Sequence, residues 1–292
     1  MKPITKAVFP VAGLGSRFLP ATKSSPKEMM PIVDEPLIQY AVEEAIAAGM
    51  TEMIFITGRG KRAIEDHFDT SLELEVELQA HGNQKMLDIV QNILPKHVSC
   101  TYVRQSRALG LGHALLCARP VVGDEPFSVL LADDLIDAEP SALVQMVEIF
   151  NEKQCSVIGV QNVARNETER YGIIKSGSAT GGLHKVEAIV EKPSPTEAPS
   201  TLGVVGRYIL TPQIFSHLQN VTPGAGGEIQ LTDGIAALLS QEQVLEYEFK
   251  GTRYDCGTKL GYLKANFAYA LKHDEVGQEF AEYLATLGCK LK

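Results

Sequence analysis

Short apolar runs punctuate the chain: "AVFPVA" (7–12), "EMIFIT" (52–57), "VSCTYV" (98–103), "FSVLLA" (127–132) and "CSVIGV" (155–160). Their length, their β-branched and aromatic content and their Gly or Pro boundaries predict strands rather than buried helix. Between them, "PLIQYAVEEAIAAG" (36–49) places Leu37, Ile38, Ala41, Val42, Ala45 and Ile46 on one helical face, with Pro at its start and Gly at its end. "PSALVQMVEIFNEK" (140–153) follows the fourth run in the same way. Strand and helix in alternation predict an α/β fold, a Rossmann-like, mostly parallel mixed sheet flanked by helices, with ligands beyond the carboxyl ends of the strands. Loops that follow strands therefore carry the most weight.

Two regions break this rhythm. Residues 58–97 are charged and helix-prone, with "SLELEVELQ" and "QKMLDIVQNIL" reading as helices in an excursion on the sheet. From about 163 to 227 the chain turns Gly/Pro-rich, and "YGIIKSG", "LHKVEAIVEKP" and "GVVGRYIL" read as β structure. "GEIQLTDGIAALLSQ" then returns to helix, and a helix-prone tail (260–287) carries Leu263, Phe267 and Leu271, suited to packing on the domain or on a second chain.

Composition narrows the partners. With 292 residues, 45% of them hydrophobic, the chain can bury one large core or two modest ones. A net charge of -9 argues against a nucleic-acid binder, so any anionic ligand must be met by a local basic cluster. Cys100, Cys117, Cys155, Cys256 and Cys289 form no CxxC pair, and the seven histidines show no metal-ligand spacing. Neither a zinc site nor a disulfide framework is expected, and a reducing cytoplasm fits best. The apolar run near the N-terminus is broken by Lys6, Pro10 and Gly13, too short for a signal segment. No stretch approaches the ~20 apolar residues of a membrane span, so no membrane association is expected.

The most informative loop is "FPVAGLGSRFLPATKSSPKEMMPIVDEP" (9–36). It lacks the third glycine of a dinucleotide fingerprint, and the chain has no P-loop run, which leaves a dehydrogenase a distant reading. A tight turn would account for Gly13 and Gly15 but not for Arg17 and Lys27. After a strand, the glycines let backbone N–H groups approach a phosphate chain, while Arg17 offers a two-pronged donor and Lys27 a point charge. Pro20, Pro26 and Pro31 limit how far the loop wanders.

Other loops add candidates, each with a plainer structural reading. "LLADD" ends the fourth run with Asp133 and Asp134, either a turn or a place for Mg2+, a hard ion held by one or two carboxylates plus substrate phosphates. Asp255 in "RYDCGTKLGYLKAN" lies between a short strand and a helix and could simply cap that helix. Gln105 in "RQSRALGLGHA" carries two donors and an acceptor that could pair with a base edge, and Gly110 and Gly112 permit close backbone approach. Glu191 and Lys192 close a β segment at "VEKPSP", where a solvated strand end is the ordinary reading. Adjacent side chains on a strand face opposite ways, so both can serve one ligand only if the strand ends or bends there. Thr232 and Asp233 read as structural, as do His113, His184 and the cysteines.

Taken in order, "GLGSRFLPATKSSPKEMMPIVDEPLIQYAVEEAIAAG", "RQSRALGLGHA", "LLADDLI", "YGII", "VEKP", "GRYIL", "GEIQLTD" and "YDCGT" resemble the signature of the sugar-phosphate nucleotidyltransferases from residue 4 to about 270. The resemblance implies a single domain over 1–292. Its nucleotide-binding half would span 1–160, its sugar-phosphate half 161–258 and its helical tail 259–292. It implies transfer of a uridylyl group from UTP to glucose 1-phosphate, giving UDP-glucose and pyrophosphate. A thymidylyltransferase, or another member with a different sugar phosphate, is the nearest alternative, and a non-catalytic sugar-nucleotide sensor the alternative of another class. By the same resemblance Ala12, Gly13, Glu28 and Gln105 contact the base, and Asp133 and Asp255 hold Mg2+. Asp134 touches the sugar or orders its loop, Gly172 and Glu191 meet the hexose, and Lys192 meets its phosphate. Arg17 and Lys27 would then cradle the triphosphate and the leaving group. A homo-oligomer, dimer or tetramer, is expected.

Overall fold

The computed structural model describes residues 3–180, 183–224 and 227–288. Its strands are β1 (Lys6–Pro10), β2 (Pro31–Ile32), β3 (Glu35–Pro36), β4 (Glu52–Thr57), β5 (Ser99–Arg104), β6 (Phe127–Leu130), β7 (Asp134–Asp137), β8 (Ser156–Asn162), β9 (Gly172–Thr180), β10 (Leu183–Glu191), β11 (Leu202–Leu210), β12 (Val244–Glu248) and β13 (Thr252–Asp255). Its helices are α1 (Leu37–Ala47), α2 (Arg62–Phe68), α3 (Leu72–Ala80), α4 (Gln84–Gln91), α5 (Leu111–Val122), α6 (Ala142–Lys153), α7 (Ile214–Leu218), α8 (Leu231–Leu238), α9 (Lys259–Lys272) and α10 (Gly277–Gly288). All five apolar runs form strands, with ends within about two residues of the sequence pattern.

Nine strands make one mixed sheet in the order β5-β4-β1-β6-β11-β8-β12-β10-β9. The first four are parallel, with Val8 opposite Ile54 on one side and Val129 on the other. β11 then inserts antiparallel between β6 and β8, and β9 and β10 pair antiparallel. β11 also touches β9 at Gly203 and Ile173, so β11, β8, β12, β10 and β9 close into a ring. Parallel strands with helices on both faces must be apolar on both faces. Accordingly Val8, Ile54, Ile56 and Val129 pack with α5, α7 and α8, while Ala7, Phe9, Met53 and Phe55 pack with α1 and α6. Phe9 and Phe55 stack at 5.0 Å, and Phe55→Ala would cost about 3–5 kcal/mol through the cavity it leaves.

The excursion is helical as expected, but α3 is peripheral. Leu72, Leu74 and Val76 alternate with acidic residues, a strand period that a helix cannot gather on one face, and all three stay exposed. The helix expected over 227–241 starts only at Leu231. The preceding residues are committed elsewhere, since Ile229 N–H donates to Leu109 O and Gly112 N–H donates to Ile229 O, both at 2.8 Å. In the tail, Leu260, Leu263, Phe267 and Leu271 remain exposed along α9. Cys289 and the last three residues of the tail lie outside the described residues.

One small element positions the site. β7 and β13 pair as an antiparallel ribbon with Asp134 opposite Asp255, and Cys256 N–H extends it by donating to Asp133 O at 2.8 Å. The ribbon carries the segment after residue 252 to the carboxyl end of β6.

Candidate active site

The loops after β1 and β6, the β7–β13 ribbon and the end of β10 converge on a cleft of about 510 Å³. Five basic side chains (Arg17, Lys27, Arg170, Lys192, Arg253) and five acidic ones (Asp133, Asp134, Glu191, Glu228, Asp255) line it. The acidic chain thus assembles a locally balanced site in which most charges are paired. Lys27 Nζ lies 2.5 Å from Asp133 Oδ2. Burial alone would lower the pKa of Lys27, but Asp133 and Glu28 together outweigh it and hold the ammonium above its ordinary range. The converse applies to Asp133, where Lys27 overcomes burial and keeps the carboxyl below its ordinary range. Asp134 accepts from Arg253 Nε at 2.5 Å and from Gly206 N–H at 2.9 Å, yet burial dominates and its pKa is raised. Asp255 pairs with Arg170 and accepts from Gly257 N–H at 3.1 Å.

The floor under Asp133 is a buried ion pair. Arg207, 1% exposed, bonds Glu44 Oε2 at 2.6 Å and donates to Leu131 O at 3.1 Å, which anchors the turn leading to Asp133. Above that floor, a Cβ at Gly257 would lie 2.9 Å from Asp133 Oδ2, 3.0 Å from Asp255 Oδ1 and 3.2 Å from Arg17 Nη1. Two carboxylates therefore face one small space that exists because residue 257 has no side chain. A pair of hard oxygen donors fits Mg2+, which completes its shell with waters and substrate phosphates. The cleft's balanced charge adds a reason, because two polyanions could not share it without a further cation.

At the other end of the cleft, β10 stops at Glu191 and Lys192 adopts φ +46°, in the left-handed region. Such a backbone costs roughly 1–3 kcal/mol in a non-glycine residue, and it lets two consecutive side chains line one cleft. Lys192 N–H donates to Tyr171 O at 3.0 Å, and its Nζ lies 3.0 Å from Glu191 Oε1. The structural reading of Thr232 needs correction: its hydroxyl donates to Glu191 Oε2 at 2.5 Å and it lines the cleft beside Gly172. It sits in the first turn of α8, whose start is displaced by the Ile229 bonds. Arg170 and Arg253, which sequence reasoning passed over, both lie on the Tyr171 ring, 5.6 and 5.2 Å from its centre. Their signal was position, since one precedes "YGII" and the other opens "RYDCGT".

A second cavity of about 350 Å³ adjoins the cleft, sharing Leu111 and Glu228 with it. Pro10, Ala12, Gly13, Leu14, Gln105 and Gly110 are among its lining. Gly110 has φ +94°, and a Cβ there would sit 2.7 Å from Ile229 O, so only glycine keeps this wall closed. Gln105, 7% exposed, donates through Nε2 to Gly110 O at 3.1 Å and lies 3.0 Å from His113 Nδ1. Two expected contacts are absent from both linings. Glu28 is 2% exposed and bonded to Lys61 Nζ at 2.7 Å, its pKa raised by burial against Lys27 and Lys61. Gly15 lies behind the loop, where its carbonyl accepts from Thr22 Oγ1 at 2.7 Å.

Residues 6–272 match the model of the family described as nucleotidyl transferase. A UTP--glucose-1-phosphate uridylyltransferase of Staphylococcus epidermidis is 48% identical over 98% of this chain and 99% of its own length. A UTP-bound UGPase from Acinetobacter baumannii superposes with a TM-score of 0.90 at 45% identity, covering 99% of this chain and 100% of that one. A UDP-glucose pyrophosphorylase complexed with UDP-glucose superposes with a TM-score of 0.83 at 46% identity, covering 92% of this chain and 100% of that one. With two cavities meeting at the carboxyl ends of parallel strands and a family match over nearly its whole length, this chain belongs to the nucleotidyl transferases.

Proposed function

We propose that this chain transfers the uridylyl group of UTP to glucose 1-phosphate, forming UDP-glucose and releasing pyrophosphate. The observation that carries the reading is the pairing of a cavity lined mainly by small and apolar residues and one amide with a charged cleft that adjoins it at Leu111 and Glu228. The first fits a base; the second fits phosphates and a sugar. The names of the relatives point to the same substrates.

The reaction needs no protein nucleophile. A phosphate oxygen of glucose 1-phosphate, already an anion, attacks the α-phosphorus of UTP, and the bond to the β-phosphate oxygen breaks as pyrophosphate leaves. Catalysis is then positioning and charge stabilisation. Ala12, Gly13, Gly110 and Gln105 orient the uridine. Arg17 and Lys27 meet the triphosphate and the departing pyrophosphate, with Lys27 exchanging its Asp133 partner for substrate oxygens. Lys192 holds the incoming phosphate, and Glu191, Gly172 and Thr232 the hexose. Asp134, locked by Arg253 and Gly206, orders the loop. Asp133 and Asp255 would hold Mg2+, which when bound neutralises phosphate charge. The nucleotide-binding half (1–160), the sugar-phosphate half (161–258) and the tail (259–292) thereby divide the work.

The free cysteines among the described residues suit a reducing cytoplasm. We also assign the exposed α9 stripe of Leu260, Leu263, Phe267 and Leu271 to contact with a second copy, which sedimentation of the purified chain would test. The reaction is tested by pyrophosphate release across a panel of nucleoside triphosphates and sugar 1-phosphates, with and without Mg2+. The expected optimum is UTP with glucose 1-phosphate and divalent ion. A higher rate with dTTP would favour the thymidylyl alternative, and nucleotide binding without turnover would favour the sensor.

A further inference from the structure

Gln105 follows β5, its own N–H donating to Thr57 O at 2.8 Å, so its position is set by the sheet edge. Which end of its amide faces the base cavity is a separate question, because oxygen and nitrogen occupy nearly the same space and differ only in what they bond. Two neighbours decide it. The carbonyl of Gly110 can only accept, so the amide atom 3.1 Å from it is the nitrogen. The second amide hydrogen is directed at His113 Nδ1, 3.0 Å away, which must then be the unprotonated ring nitrogen. Cys117 Sγ, one helical turn further along α5, lies 3.8 Å from the same Nδ1. Burial keeps that thiol protonated, so it is a second donor to a nitrogen that accepts. Both hydrogens of the amide are thus spent on the wall, and Oε1 has no hydrogen-bond partner among the described residues.

We propose that His113 is a positioning residue for base selection, holding Gln105 so that the cavity presents a hydrogen-bond acceptor and not a donor. The inference rests on the uridylyl reading above and deepens it. Uracil offers an N3–H donor at its pairing edge, whereas cytosine offers an unprotonated N3 that would meet Oε1 lone pair to lone pair. An amide free to rotate would accommodate either base by exchanging oxygen for nitrogen. His113 removes that freedom without touching the nucleotide. The same acceptor serves the imide of thymine, so the device disfavours cytosine, whose one pairing-edge donor is its exocyclic amine and not N3, and leaves uracil and thymine to be separated elsewhere in the cavity.

The experiment is titration calorimetry of UTP and CTP into the full-length chain without sugar phosphate. It requires no turnover, so failure of the transfer reaction and failure of this inference are read from different measurements. In His113→Leu the ratio of the two dissociation constants should fall by roughly tenfold, the scale of one buried hydrogen bond. In His113→Asn, whose side-chain oxygen can take the place of Nδ1 as acceptor, the preference should return. In a Gln105→Ala background, His113→Leu should change the ratio no further, the signature of a residue acting through another. Two results would overturn the proposal: an unchanged preference for UTP in a folded His113→Leu, or a His113→Asn variant that binds CTP as well as the leucine variant does.

Discussion

The smaller cavity is lined mainly by small and apolar residues with one amide, Gln105, and meets a carboxylate, Glu228, only at the border it shares with the cleft, whereas in the larger cleft most charged side chains are held by an ion of opposite sign. Gln105 reaches that cavity with its amide nitrogen bonded to Gly110 O and 3.0 Å from His113 Nδ1. Lys27, Asp133, Arg253, Asp134, Arg170 and Asp255 form three cation–carboxylate pairs. A ligand entering the first cavity finds its partner waiting; a ligand entering the second must exchange partners that are already satisfied. Substitutions in the first should alter which nucleotide binds, and substitutions in the second should alter whether anything happens to it.

The largest expected effect follows from Asp133→Asn, which keeps the side chain's size and removes its charge. Turnover should fall by at least ~100-fold, the scale of losing one electrostatic stabiliser in the reacting region. Preference for UTP over CTP, measured by binding, should be preserved. Full turnover of this variant, or of the parent chain in excess chelator, would remove Asp133 from the metal site.

Lys192→Ala comes next. It removes the cation proposed above to hold the attacking phosphate, so kcat/KM for glucose 1-phosphate should drop ~30-fold, about 2 kcal/mol. UTP affinity without sugar phosphate should hardly move. If UTP binding is abolished and the sugar-phosphate dependence survives, Lys192 belongs to the nucleotide side. Gln105→Ala is the reciprocal case, expected to weaken UTP binding by about 1–3 kcal/mol and to narrow the preference over CTP while sparing saturated turnover.

The smallest effect tests what pairing does for a carboxylate. Glu35, next to Asp34, forms no ion pair of the kind that serves Asp133 among the described residues. Burial, then Glu43 and Asp34, push it up to about 7, with His273 opposing. A folded pKa above the unfolded 4.5 means that the native state binds more protons, so this group costs stability as pH rises through that window. Glu35→Gln should therefore gain melting temperature over the parent between about pH 4.5 and 7, with the difference level above that range and absent below it. A constant difference at all pH values would show that Glu35 does not titrate in the window.

How far the site could be read from the chain depended on how local its parts are. Asp133 stood out because it ends an apolar run, and ligands gather at the carboxyl ends of parallel strands. Glu191 and Lys192 were legible as a strand end, although the left-handed turn at Lys192 that lets both face the cleft appears only in the backbone. Asp255 was visible through its motif, but its place opposite Asp134 depends on a four-residue ribbon that no periodicity announces. Thr232 was hidden because the helix pattern around it is real and only its start is moved, by the hydrogen bonds that Ile229 makes with Leu109 and Gly112. Arg170 and Arg253 escaped because a lone arginine beside a motif looks like surface until its carboxylate is brought to it from far along the chain. The mixed second half of the sheet was the least legible part of the fold, since β11 pairs with strands before it on both sides.

The most direct test uses UTP labelled in its α-phosphate, incubated with glucose 1-phosphate, Mg2+ and the purified chain. All transferred label should appear in UDP-glucose, matched one for one by unlabelled pyrophosphate, and none should be released when glucose 1-phosphate is withheld. Label appearing in UMP or UDP, or pyrophosphate formed at the same rate without the sugar phosphate, would contradict the account.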